Sequence, residues 1–200
     1  KSITLMSNFN TILQFEKELA KFTGAPYAIM TDCCTHAIEL CLRYDRPREL
    51  TFTATTYLSI PMLMHKLNIP YMLTTEDWTG EYHFYGSRIW DSARRLEEGM
   101  YRPGDKQCLS FGYSKPLDPG RGGAILLDDV EEYDTIRQMR YDGRDLLVSP
   151  WQDQQVFRVG YHYRPTVEEA EMALDKLKAY TSTPPKHVVY PDLRKITIVP

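Results

Sequence analysis

The chain has 200 residues, with 24 Lys and Arg against 27 Asp and Glu, a net charge of −3 and 42% hydrophobic residues. This is enough chain for one sizeable core and an ordinary globular composition. A net-negative chain with no basic face argues against nucleic-acid binding by phosphate neutralisation, and no apolar run approaches the roughly 18 to 20 residues of a bilayer crossing.

Lys1-Ser2-Ile3-Thr4 shows no signal-peptide pattern, so a cytoplasmic protein without membrane attachment is expected. Cys33, Cys34, Cys41 and Cys108 lack the spacing of a disulfide framework. Cys33, Cys34 and His36 could start a metal site, but no second ligand pair with zinc-like spacing follows. Reduced thiols and no bound metal are the expectation.

In chain order, Phe9, Ile12, Leu13, Leu19 and Phe22 recur at helical spacing and predict a helix over 8–22, closed by Gly24 and Pro26. A strand is expected at 27–31, a helix at 35–44, a strand at 49–53, a helix at 57–67 and a strand at 70–73. Further strands are expected at 87–90, 107–111 and 123–127, then a helix at 130–140. The polar, Trp-bearing stretch 141–159 reads as a surface or interface loop. Thr166 and Glu169 form a capping box for a helix over 166–180, and a β-prone run lies at 195–199. Short strands alternating with helices predict an α/β sandwich of three layers around a mostly parallel sheet. Residues 1–150 would form the main domain, and 151–200 an interface loop, a helix and a tail.

Four stations lie at predicted strand ends, where ligands of open α/β sheets bind. The amides of Cys34 and Thr35, with the Thr35 hydroxyl, would face an anion at a helix N-terminus, although Thr35 also reads as a cap. Phe52, in Thr51-Phe52-Thr53-Ala54-Thr55, could stack on a heterocycle or be an ordinary core residue. Asp91, after Ile89-Trp90, could pair with a protonated ring nitrogen or cap a helix. Lys115, after Ser110-Phe111-Gly112-Tyr113-Ser114 and before a Pro/Gly-rich turn, has the setting of a Schiff-base lysine: partial burial would lower its pKa and free the amine as a nucleophile.

Taken in order, these stations resemble the DegT/DnrJ/EryC1/StrS family of PLP-dependent sugar aminotransferases, which have the fold type I architecture. Phe15-Glu16-Lys17-Glu18-Leu19 with Thr23-Gly24-Ala25 resembles its entry helix. Cys33-Cys34-Thr35-His36-Ala37-Ile38 resembles its phosphate loop, and 51–55 its stacking strand. Asp91-Ser92-Ala93 resembles its pyridine-nitrogen motif, and 110–115 the run ending at its cofactor lysine. Gly122-Gly123 and Gly160-Tyr161-His162-Tyr163-Arg164 complete the set, which spans about residues 9 to 180.

The resemblance implies pyridoxal 5′-phosphate as cofactor and Lys115 as its covalent anchor and proton carrier. It implies Asp91 on the ring nitrogen, Phe52 on the ring face and Arg94 near the ring hydroxyl. Cys34, Thr35 and Ser110 would bind the phosphate, joined by His162 from a second subunit, so a homodimer with shared active sites is implied. The implied reaction moves an amino group from glutamate to a keto-sugar, nucleotide-linked in this family. A compact cofactor-binding module without transaminase activity is the alternative. The chain departs from the family pattern at Cys34, Arg94, Arg121 and His162. It also looks shortened, lacking a crossover helix between Phe52 and Asp91 and most of a C-terminal small domain.

Overall fold

The structure, a computed structural model, describes residues 2–145 and 150–199; of the predicted loop 141–159, positions 146–149 lie outside the described residues. Helix α1 (Ser2–Thr23) begins earlier than its periodicity suggests and stops where Gly24 turns to φ +77°. Ile12, Phe15 and Leu19 are buried on its inner face, while Leu13, expected there, is 38% exposed. Glu16 takes an inward position instead. Its carboxylate accepts the Met30 amide at 2.7 Å and pairs with the buried Arg140 guanidinium. Two donors make a buried carboxylate tolerable that would otherwise cost several kcal/mol, roughly, to desolvate.

The next elements follow the predicted order to within a residue or two: β1 (Tyr27–Thr31), α2 (Cys34–Asp45), β2 (Leu50–Thr53), α3 (Ser59–Leu67) and β3 (Tyr71–Thr74). Strand β4 (Tyr82–Phe84) was not anticipated. After it come β5 (Ile89–Asp91), β6 (Lys106–Ser110), β7 (Gly123–Leu127), α4 (Val130–Arg140) and α5 (Val167–Ala179). The capping box of Thr166 and Glu169 on α5 is present. The β-prone run 195–199 makes no strand: a single 3₁₀ turn, Leu193–Lys195, takes in its first residue, and the chain runs on beside α3 and β3 without ladder bonds.

Five strands form one sheet in the order β1-β7-β6-β5-β4, and β2 and β3 pair in parallel. Thr51 and Tyr85 exchange both backbone hydrogen bonds, at 3.0 and 2.9 Å, which joins the two sets into a continuous layer β3-β2-β4-β5-β6-β7-β1. Most of the strands share one direction; β4 and β7 run against it. The missing crossover helix is thereby explained. A parallel β4 would need a connection of about a dozen residues or more, whereas the antiparallel β4 turns straight into β5 as a hairpin.

Helices α2, α3 and α4 cover one face, with Ile38, Cys41, Phe52, Leu63 and Ile136 in the core. Helices α1 and α5 cover the other, with Phe15, Leu19, Phe111, Ala173 and Leu177. Helix α5 thus shares a core with α1. Among the described residues no helix is long and apolar enough to cross a membrane.

Candidate active site

The carboxyl ends of β1, β5 and β6 bring three stations together. At β1, Cys33 caps α2, its Sγ accepting the His36 amide at 3.4 Å. Cys34, where the family pattern has glycine, is already helical and needs no left-handed backbone. Gly123 packs so closely here that an added Cβ would lie 2.5 Å from both Cys33 C and Cys34 N, so glycine alone lets β7 support the start of α2. The Thr35 amide has no acceptor among the described residues, and its hydroxyl bonds Ser59 Oγ at 2.8 Å. A free amide at a helix N-terminus suits an anion, with the Thr35 and Ser59 hydroxyl pair beside it.

The Cys34 thiol points elsewhere, toward the Cys108 carbonyl at 3.6 Å. Burial pushes its pKa well up, Asp91 adds to the rise and Lys115 opposes it. His36 Nδ1 pairs with Asp32 Oδ1 at 2.7 Å, and its ring stacks on Tyr163 with centroids 3.7 Å apart. Burial works against its charge, yet Asp32 and Cys33 lift its pKa to about 9. Ligand atoms of Asp32, Cys33 and His36 lie within 4.8 Å of one another. A protonated imidazole already bonded to a carboxylate belongs to an anion-facing network better than to a metal, which takes the neutral ring.

At β5, Asp91 is 4% exposed. Its Oδ1 accepts the Ala93 amide at 3.0 Å and its Oδ2 the Tyr82 hydroxyl at 2.9 Å. Burial raises its pKa above the ordinary value, against the pull of these donors and of Lys115. Tyr82 stands opposite Asp91 in the β4–β5 register, and its hydroxyl also meets Thr56 Oγ1 at 2.7 Å. Sequence reasoning missed Tyr82. The alternation of Tyr82-His83-Phe84 ahead of Gly86 was the available signal for a hairpin strand.

At β6, Ser110 ends the strand and a loop closes on itself, with Phe111 N bonded to Gly122 O at 2.9 Å and Gly120 N to Phe111 O at 3.2 Å. Ser114 adopts φ +65°, uncommon for a residue with a side chain, and so orients the next residue, Lys115. Lys115 is half-buried, close enough to Asp91 and Cys34 to bias both, and its ammonium has no hydrogen bond or ion pair among the described residues. Arg94 donates to Ser114 O at 2.7 Å and to Tyr190 Oη at 3.2 Å.

Two of the predicted site residues lie apart. Phe52 is completely buried, stacked on Tyr71 with centroids 5.3 Å apart and edge-on to Phe84, so its ring belongs to the core; the aromatic beside Asp91 is Tyr82. The His162 side chain is 70% exposed, with Nδ1 3.2 Å from Asp142 Oδ2. Neighbouring Tyr163 folds back onto its own chain, its carbonyl accepting the Asp32 amide at 3.0 Å. Arg121 reaches Asp32 Oδ2 at 3.4 Å and Glu169 at 3.6 Å, tying this end of β1 to α5.

An amine without partners, a buried carboxylate with acceptor capacity left over and an anion-facing helix start form the donor set that a phosphorylated pyridine aldehyde requires. The residues present fit such a group in kind.

The fold resembles several solved structures. 3-Amino-5-hydroxybenzoic acid synthase superposes with a TM-score of 0.68 at 20% identity, over 84% of this chain and 56% of that one. Sugar aminotransferase CalS13 from Micromonospora echinospora gives 0.67 at 16%, over 84% and 60%. NtdA from Bacillus subtilis, solved with bound cofactor PMP, gives 0.67 at 17%, over 84% and 48%. The chain therefore spans 60% or less of the length of each of these relatives. No curated protein sequence matches it. The profile of the DegT/DnrJ/EryC1/StrS aminotransferase family matches residues 2–67 and 99–184, leaving out the interval that holds the β4–β5 hairpin and Asp91. With most of its length covered by that profile, the chain belongs to the DegT/DnrJ/EryC1/StrS aminotransferase family.

Proposed function

We propose that this chain holds pyridoxal 5′-phosphate at Lys115 and transfers an amino group from glutamate to a keto-sugar. The observation that carries the reading is the unpartnered Lys115 amine beside the buried Asp91 carboxylate. When bound, the cofactor supplies an electron sink for the carbanion that forms at the substrate carbon.

The chain's own groups do the rest. Asp91, fixed by the Ala93 amide and the Tyr82 hydroxyl, holds a proton on the ring nitrogen. A charged partner there favours the ionised carboxylate and offsets the burial that otherwise raises its pKa. The start of α2, with the Thr35 amide and hydroxyl and Ser110 across from it, takes the phosphate. Lys115 Nζ anchors the cofactor and then, as a free amine, moves the proton to and from the substrate carbon. Arg94 positions the Ser114–Lys115 turn through the Ser114 carbonyl.

In this reading residues 1–150 are the cofactor-binding unit, and 151–200 contribute an interface loop, helix α5 and the tail. The active unit is a homodimer in the cytoplasm, with His162 of each chain reaching the other's phosphate. The exposure of His162 supports an outward role.

The test is borohydride reduction of the purified chain with added pyridoxal phosphate, followed by peptide mass spectrometry. The reduced adduct is expected on Lys115 and absent from Lys115→Ala. An adduct on another lysine, or none, overturns the reading.

A further inference from the structure

A cavity of about 290 Å³ opens beside Lys115, and its wall is the C-terminal tail, with Pro184, Pro185 and Lys186 facing Arg94, Ser114 and Lys115. Contacts along its length fix the tail there. Ser182 Oγ accepts the Glu98 amide at 2.9 Å, Tyr190 stacks on Trp78 with centroids 5.8 Å apart, and the Leu193 amide donates to Ala54 O at 2.9 Å. Pro185 seats on Gly80, where an added Cβ would come within 2.8 Å of the proline ring and φ is +82°.

The lining carries Arg94, Lys115 and Lys186 and no acidic side chain. None of these cations has an ion pair to a carboxylate among the described residues, although the chain as a whole is net negative. Clustered like charges repel one another and are maintained where a counter-charge is to be bound. The volume falls just short of the range for drug-sized ligand sites, about 300 to 1,000 Å³, and so suits a smaller molecule.

We infer that this cavity binds the single compact oxyanion of a small substrate, and that the tail at 183–190 excludes a nucleoside diphosphate. The inference rests on the proposed cofactor reading only in assigning the bound anion as substrate, and it narrows the acceptor from a nucleotide-linked sugar to a small carboxylate- or phosphate-bearing carbonyl compound. The tail sets the size limit, and Lys186 adds its charge to those of Arg94 and Lys115.

The experiment is calorimetric titration of the chain, without cofactor, with 2-oxoglutarate, inorganic phosphate and uridine diphosphate in low salt. Binding of 2-oxoglutarate or of phosphate is expected, with the stronger of the two naming the oxyanion, and uridine diphosphate is expected to bind at least about tenfold more weakly. Lys186→Glu should weaken the compact anion about tenfold or more, and Lys186→Arg should restore it. Gly80→Leu, which displaces Pro185, should lose the compact anion and bring uridine diphosphate to equal or better affinity.

Uridine diphosphate binding as tightly as the small anions to the unmodified chain overturns the inference. So does the absence of any anion binding, or an affinity unchanged within about twofold in Lys186→Glu. Because no cofactor is present, a missing adduct on Lys115 would overturn the aminotransferase reading while leaving this result intact.

Discussion

The Tyr82 hydroxyl donates to Asp91 Oδ2 at 2.9 Å, so the buried acid of the site is held by a phenol on the adjacent antiparallel strand. Burial also pushes the Tyr82 phenol well up, and Asp91 adds to that rise, so the hydroxyl stays protonated and remains a donor. Tyr82→Phe removes one of the donors to a buried carboxyl and is expected to cost about 1–3 kcal/mol of stability in urea unfolding. Asp91→Asn should keep the Lys115 adduct but slow the half-reaction with glutamate by about two orders of magnitude, since a neutral amide cannot hold the ring proton. Rates unchanged in Asp91→Asn would reduce Asp91 to a turn residue that caps the Ala93 amide.

Gly123→Ala places a Cβ 2.5 Å from the backbone of Cys33 and Cys34, atoms that cannot rotate away. The helix start must shift, at an expected cost of about 2–3 kcal/mol. Pyridoxal phosphate affinity should fall more than the affinity of pyridoxal lacking the phosphate. Equal losses for both would separate Gly123 from the anion-facing helix start.

His36 gives the site a pH dependence of known sign. Its folded pKa is raised from the ordinary 6.5 to about 9 despite partial burial, because Asp32 and Cys33 favour its charge. A raised pKa contributes stability that is complete below about 6.5 and lost as pH rises through about 9. After screening at this half-buried position the contribution is about 1 kcal/mol. Unfolding free energies measured from pH 6 to 10 should show this loss, and His36→Gln should flatten it. A His36→Gln profile with the same slope would assign the titration to another group.

His162 is proposed to act across the subunit boundary. Lys115→Ala and His162→Ala proteins, each inactive, should regain part of the activity on mixing, because one site in each hybrid dimer then has both residues intact. No recovery under conditions where subunits demonstrably exchange would return His162 to the surface of its own chain.

Most of the architecture could be read from periodicity, because apolar residues at helical or strand spacing mark a face that must be buried. Lys115 and the start of α2 were legible because an unusual turn follows a strand and a cap precedes a helix. Glu16 and Leu13 were not, since a carboxylate moved inward to meet Arg140, a residue 124 positions away in sequence. Tyr82 and the 183–190 tail escaped for a related reason. A strand of three residues is too short for its alternation to stand out, and a proline-punctuated tail has no periodicity at all. Phe52 carried the right residue type at the right place in the motif, but whether an aromatic faces a ligand or the core is decided by its neighbours, here Tyr71 and Phe84.

The β4–β5 hairpin also sets an order of assembly. Closing so short a loop costs little chain entropy, and hairpins form in about 1–10 μs. Pairing β5 with β6 in parallel must wait for the longer excursion from residue 92 to residue 105 to be ordered. The strand that carries Asp91 therefore acquires its register early and from local sequence, whereas the loop that presents Lys115 settles only after β6 and β7 have paired. A lesion in the hairpin should slow folding, and one in the 111–122 loop should chiefly speed unfolding.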